Sequence, residues 1–232
     1  MSTAIIDYRT SDEEILELEK LGLDFLLCPP CSEVHTSISG HPDMQLVLIN
    51  YNTILVHKEI DDMFCSQLSI KNIRFYKSHN KLFQDYPHDI ILNSLILGDK
   101  FVHNLKYSDP VLLNLVKGKE LINVNQGYTK CSTAIVNEKA IITSDMSILR
   151  ALQNTSIDIL YVPPGDIELN GLEYGFIGGT CGLLKKGFLA FFGDLNQYAY
   201  GESIIQFLEK HNVKPIYLRK GKLVDRGSLF II

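Results

Sequence analysis

Long apolar runs are missing from this sequence. The most apolar stretches, LILG ending at Gly98 and FLAFF from Phe188 to Phe192, fall far short of the ~20 residues that a membrane-spanning helix needs. The N-terminus also lacks the basic-then-apolar plan of a secretory leader, so the expected location is the cytoplasm, with no membrane partner. Dense Lys/Arg blocks are missing too, and the net charge is -5. A phosphate-binding face needs clustered cations, so no nucleic-acid partner is expected. The five cysteines are an odd number at irregular positions, which suits reduced thiols better than a disulfide framework. Cys28 and Cys31 form a CPPC pair, but a structural zinc site needs a second ligand pair and none follows, so neither a metal nor a cofactor is expected. With 46% hydrophobic and 21% charged residues over 232 positions, the chain is ordinary globular material, able to bury roughly 70% of its unfolded surface.

What the sequence does have is a repeat. The segments HPDMQLVLINYNTILVHKE from His41, PHDIILNSLILGDKFVHNL from Pro87, YTKCSTAIVNEKAIITSDM from Tyr128 and GTCGLLKKGFLAFFGDL from Gly179 share one plan. Each runs apolar, turns at Asn, Gly, Asp or Lys, and runs apolar again to a polar stop at His57, His103, Asp145 or Asp194. Taking Asp43, Asp89, Cys131 and Cys181 as equivalent starts, the spacings are 46, 42 and 50 residues, a period that signals repeat architecture. A helical pattern and a further apolar strand follow each hairpin, with Asp109, Ser147 and Ser203 near the helix starts as caps. The unit is therefore ββαβ, and the copies span about 41–86, 87–127, 128–175 and 176–222. A fifth copy is split: 223–232 supplies a first strand, GSLFII, and 1–40 supplies the rest, beginning with STAIID. The expected fold is α/β, one domain over 1–232, a five-fold pseudosymmetric ring or α/β propeller closed by pairing of the two termini. Closure would bury edges and faces that an open array leaves exposed.

In such a ring the starts of the five first strands converge on the axis. The candidates for an axial pocket are His41, Asp43, His88, Asp89, Tyr128, Lys130, Cys131, Thr180, Cys181, Asp225 and Arg226. Cys181 or Cys131 would be the nucleophile of a thiol enzyme and His41 its base; equally, each thiol reads as a small apolar packing residue. Gly178 and Gly179, in GFIGGTCG, either let a ligand approach the backbone or serve close strand packing. Asp43 and Asp89 would grip a guanidinium, whereas Lys130 and Arg226 would repel one, leaving an anionic or zwitterionic ligand equally open. His57 and His103, which end second strands, read as structural.

A five-fold ring of ββαβ units resembles the pentein fold of the guanidino-group modifying superfamily, which includes arginine and agmatine deiminases, amidinotransferases and dimethylarginine dimethylaminohydrolases. The last is the nearest resemblance. The stretch YTKCSTAIVNEKAIITSDMSILRAL is similar to that family's segment with its catalytic HLK motif, DILYVPPGDIELNG to its following strand and loop, and GKLVDRGSLFII to its closing strand. Pro42 and Asp43 match a Pro-Asp pair of its substrate site. The chain is also similar to a bacterial branch of the superfamily with no assigned reaction. The resemblance implies thiolate attack on a guanidinium carbon with a histidine moving protons. Tyr128 stands where the motif has that histidine, and the closing strand offers Asp225, Arg226, Gly227 and Ser228 where the cysteine belongs. Two expectations follow. One is a Cys-dependent hydrolase or amidinotransferase-like enzyme with a relocated nucleophile, acting on C–N bonds of a guanidino, ureido or amino-acid-like ligand. The other is a catalytically degenerate ring serving as a ligand-binding or protein-interaction module.

Overall fold

The computed structural model describes residues 2–185 and 187–232; Lys186, in the turn expected of the fourth hairpin, lies outside them. In chain order the elements are β1 (Thr3–Asp7), α1 (Asp12–Lys20), β2 (Asp24–Cys28), α2 (Pro42–Gln45), β3 (Leu46–Asn50), β4 (Thr53–Val56), α3 (Asp62–Ile70) and β5 (Arg74–Lys77). These are followed by β6 (Leu95–Leu97), β7 (Lys100–His103), α4 (Pro110–Leu115), β8 (Glu120–Asn123), β9 (Thr133–Asn137), β10 (Ala140–Thr143), α5 (Met146–Leu152) and β11 (Asp158–Tyr161). The last are β12 (Cys181–Lys185), β13 (Phe188–Phe191), α6 (Gly201–Lys210), β14 (Lys214–Tyr217) and β15 (Phe230–Ile231).

The strands form three-stranded sheets of one design. In each, a hairpin pairs the first strand antiparallel to the second, and a helical crossover returns the third parallel to the second. The hairpin is the local product of two short apolar runs, buried along most of their length, around a polar turn, and the parallel strand needs the crossover helix to return the chain. The remaining sheet joins the chain's two ends: β15 runs antiparallel to β1, Ala4 opposite Ile231 and Ile5 opposite Phe230, while β2 lies parallel on the other side of β1. Three of the helix starts are capped by aspartates. Asp61, Asp109 and Asp145 accept from the first-turn amides of α3, α4 and α5; Asp145 thus takes the place expected of Ser147. α6 begins after Tyr200 with no side-chain cap, so Ser203 does not fill that role.

Packing links each sheet to the next. Ile5 and Leu26 meet Leu46, Ile54 and Phe64; Val47 and Leu55 meet Leu92, Phe101 and Leu112; Leu95 and Val102 meet Ile141 and Ile148. Ala134 and Ile142 meet Leu189, Phe191 and Ile204. A further cluster takes Ala190, Phe192 and Leu218 of the β12–β14 sheet onto Ala4, Ile6, Leu18 and Leu229 of the terminal one. No helix among the described residues is long and apolar enough to cross a membrane.

Candidate functional site

The first strands β3, β6, β9, β12 and β15 share one cavity of about 290 Å³. Each contributes a half-buried apolar side chain to its wall: Leu48, Ile96, Ile135, Leu183 and Phe230. Its buried polar lining comes from Ser94, Lys130 and Cys181. Lys130 is the one charged side chain on the lining among the described residues.

Behind this lining lies a sealed polar network. Lys130 Nζ donates to Ser228 Oγ at 2.8 Å and to the Gly178 carbonyl at 3.3 Å. Ser228 Oγ in turn lies 2.6 Å from Asp43 Oδ2 and 2.9 Å from the Gly178 carbonyl, so its single proton serves one of those acceptors. Asn93 is the second hub. Its Oδ1 accepts from the amides of Lys130 (2.8 Å) and Cys131 (3.1 Å), and its Nδ2 reaches the Asp43 carbonyl (3.0 Å) and Cys131 Sγ (2.9 Å). Asp43, Asn93, Cys131 and Ser228 are all buried, and none of them lines the cavity.

Neither axial thiol is activated. Burial pushes Cys131 well above the ordinary thiol range, and the carboxylates of Asp43 and Asp225 push it further. Burial likewise lifts Cys181 to about 11, against the opposing pull of Lys130. Attack needs a thiolate, and no imidazole is placed to make one. His41 is buried, and neither ring nitrogen has a hydrogen-bond partner. It sits between two carboxylates, Nε2 3.9 Å from Asp7 and Nδ1 3.7 Å from Asp225. Asp7 is held by Arg9. Asp225 accepts from the amides of Phe176 (2.8 Å) and Gly227 (2.9 Å), and burial raises its pKa although His41 opposes the shift.

Several candidates are not on the cavity lining. His88 is exposed and lies edge-on to Phe83, with ring centroids 6.2 Å apart, because Pro87 and the loop before it run over the outer surface. Arg226 pairs instead with the buried Glu14 of α1, 3.2 Å away. Asp89 is buried and accepts the Tyr128 hydroxyl proton; burial raises the pKa of both. Tyr128 packs between Tyr86 and Phe176, with centroids at 6.0 and 5.9 Å. Gly178 and Gly179 serve close packing: a Cβ on Gly178 would lie 2.3 Å from the Lys130 and Thr133 carbonyl oxygens, and one on Gly179 1.9 Å from Asp225 Oδ1. Thr180 Oγ1 bonds back to the Ile177 carbonyl at 2.7 Å. Hairpin register also separates the two thiols. The first paired residues are Thr133 in β9 and Cys181 in β12, so Cys131 precedes its hairpin while Cys181 opens one, and the two are not equivalent. All five cysteines are free, and no group of three His, Cys, Asp or Glu residues among those described is placed to hold a metal.

Five such sheets around a shared cavity are the architecture of the pentein proteins, the fold of the guanidino-group modifying enzymes. An amidinotransferase of saxitoxin biosynthesis from Microseira wollei superposes with a TM-score of 0.60 at 11% identity, over 93% of this chain and 87% of that one. The Pseudomonas aeruginosa dimethylarginine dimethylaminohydrolase, solved as a variant with citrulline, gives 0.53 at 9% over 94% and 91%. Agmatine deiminase of C. jejuni gives 0.53 at 14% over 94% and 86%. No curated protein sequence matches the chain. By sequence the chain belongs to DUF6873, described as a family of unknown function, whose pattern matches residues 5–230.

Proposed function

We propose that the chain is a pentein ring, closed by its paired termini, that binds a small ligand in the axial cavity and has set aside thiol-dependent guanidino chemistry. The observation that carries this reading is the state of the axial thiols. Cys131 is locked to Asn93 and Cys181 faces the Ile177 carbonyl at 3.7 Å, both have raised pKa values, and His41 is engaged by neither. Ser228, two residues before the closing strand β15, is held by Lys130 and Asp43 and is absent from the cavity lining, which supports a structural role for its hydroxyl. The binding function keeps what remains: a solvent-connected, apolar-walled cavity with one cation at its base.

The test is citrulline formation from arginine and dimethylarginine, and carbamoyl-putrescine formation from agmatine, by the purified protein. The expected result is no turnover above the uncatalysed rate, because loss of nucleophile and base together removes several orders of magnitude. Turnover that disappears in Cys131→Ser or Cys181→Ser would overturn this reading in favour of a relocated nucleophile.

A further inference from the structure

We infer that the axial cavity takes a small monocarboxylate with an apolar body, its head group on Lys130 and Ser94. The inference rests on the axial-ligand reading above and adds the chemistry of the ligand. It starts from two incomplete polar groups. Lys130 is buried to within 8% of full exclusion from solvent, yet no carboxylate pairs with it directly; its partners are a hydroxyl and a carbonyl, and Asp43 answers its charge only through Ser228. An ammonium has three donors, and two are used, which leaves one for the cavity it lines. Phe230 lies with its ring centroid 5.6 Å from Nζ, a contact that favours the cation without satisfying a hydrogen bond. Ser94, 5% exposed, lines the same cavity; its Oγ has no protein partner and is itself shut off from the cavity, so a turn about χ1 is what brings it to a ligand. Buried polar groups are as a rule hydrogen-bonded, so an acceptor that reaches both completes the site.

The rest of the lining selects the body of the ligand and its charge. Asp43 and Asp89, the residues suited to a guanidinium, are outside the lining, and Lys130 is the charge that remains. A cationic guanidino or amino head would meet it unfavourably, whereas a carboxylate gains a charge-assisted hydrogen bond in a low-dielectric setting. The walls are aliphatic or aromatic from every first strand. A dry cavity of about 150 Å³ holds benzene, so 290 Å³ has room for a head group and a short hydrocarbon chain and is small for larger metabolites.

Hexanoate is the probe. Calorimetry and thermal shift on the full chain are expected to show saturable binding of hexanoate, with hexanamide and acetate at least tenfold weaker and arginine and agmatine without effect. Ser94→Ala is expected to weaken hexanoate about tenfold, in line with the loss of one hydrogen bond to a charged group. Lys130→Met should abolish binding; because Lys130 also holds Ser228, Leu183→Trp provides a second variant that fills the cavity from its half-buried wall and leaves the network alone, and it too should abolish binding. Hexanamide binding as well as hexanoate would overturn the carboxylate assignment. Binding of arginine or agmatine that Leu183→Trp blocks would overturn it while sparing the axial-ligand reading. Hexanoate binding unaffected by Leu183→Trp, or no binding by any probe, would overturn both.

Discussion

His57 and His103 occupy matching places at the ends of β4 and β7, and both imidazoles are kept neutral by burial, with pKa values lowered to about 4. His57 Nε2 accepts from the Leu82 amide at 3.1 Å, so its other nitrogen carries the proton and faces Cys31 at 4.0 Å. Protonation must break the bond to Leu82. The unfolded imidazole takes a proton near pH 6.5 and the folded one near 4, so stability is fully present above about 6.5 and is lost as pH falls toward 4. At pH 5 the loss is about 2 kcal/mol for each imidazole. Denaturant titrations at pH 7.5 and 5 should show this decline, and His57→Gln should remove about half of the histidine contribution; an unchanged pH dependence in the variant would contradict the assignment. At the same scale, Asn93 was the residue least visible in the sequence. It is one of two polar residues, with Ser94, in an otherwise apolar run, ILNSLIL, and the signal was its position: a buried segment just before a strand that tolerates Asn must satisfy it. Ser228 was hidden for another reason, since its partner Asp43 lies 185 residues away in the chain.

α1 ties the two chain ends together a second time. Ser11 and Glu14 form a capping box, Glu14 is fully buried, and its carboxylate holds Arg226 of the closing segment. Ser11→Ala is expected to cost about 1 kcal/mol, the usual loss of an N-cap. Glu14→Ala removes the other half of the box and strands Arg226, so its cost should be about 3 kcal/mol; equal effects in chemical denaturation would show that the pair with Arg226 contributes nothing. The hairpins were legible because short apolar runs and polar turns are local properties of sequence. Equivalent strand starts were less so. A helical turn over Pro42–Gln45 precedes β3 and a 3-10 turn over Ile177–Thr180 precedes β12, and the first paired residues, Leu46, Leu95, Thr133 and Cys181, lie at different offsets from the apparent starts Asp43, Asp89, Cys131 and Cys181. Counting residues from sequence therefore matched Cys131 to Cys181, which pairing register does not, and put His88 and Arg226 on a cavity whose lining does not include them.

For the whole molecule, the repeat plan and the pairing of GSLFII with STAIID follow from one physical requirement: every apolar hairpin needs a neighbour to cover it. That requirement is a property of the pattern and could be read from the chain. Which side chains line the shared cavity depends on strand rotation and register, which the pattern leaves open, and so the aspartates expected there are sealed behind it. The central claim is that five first strands, one of them from the far end of the chain, form a single ligand cavity. Isoleucine methyl NMR tests it most directly, because Ile96, Ile135 and Ile231 lie on three different sheets and all line that cavity. Titration with hexanoate should shift these three methyls together with one dissociation constant, while Ile60, Ile148 and Ile204, packed among the helices, stay in place. Shifts that spare Ile231, that fall on the helix-side methyls instead, or that fail to appear at saturating hexanoate would contradict the account.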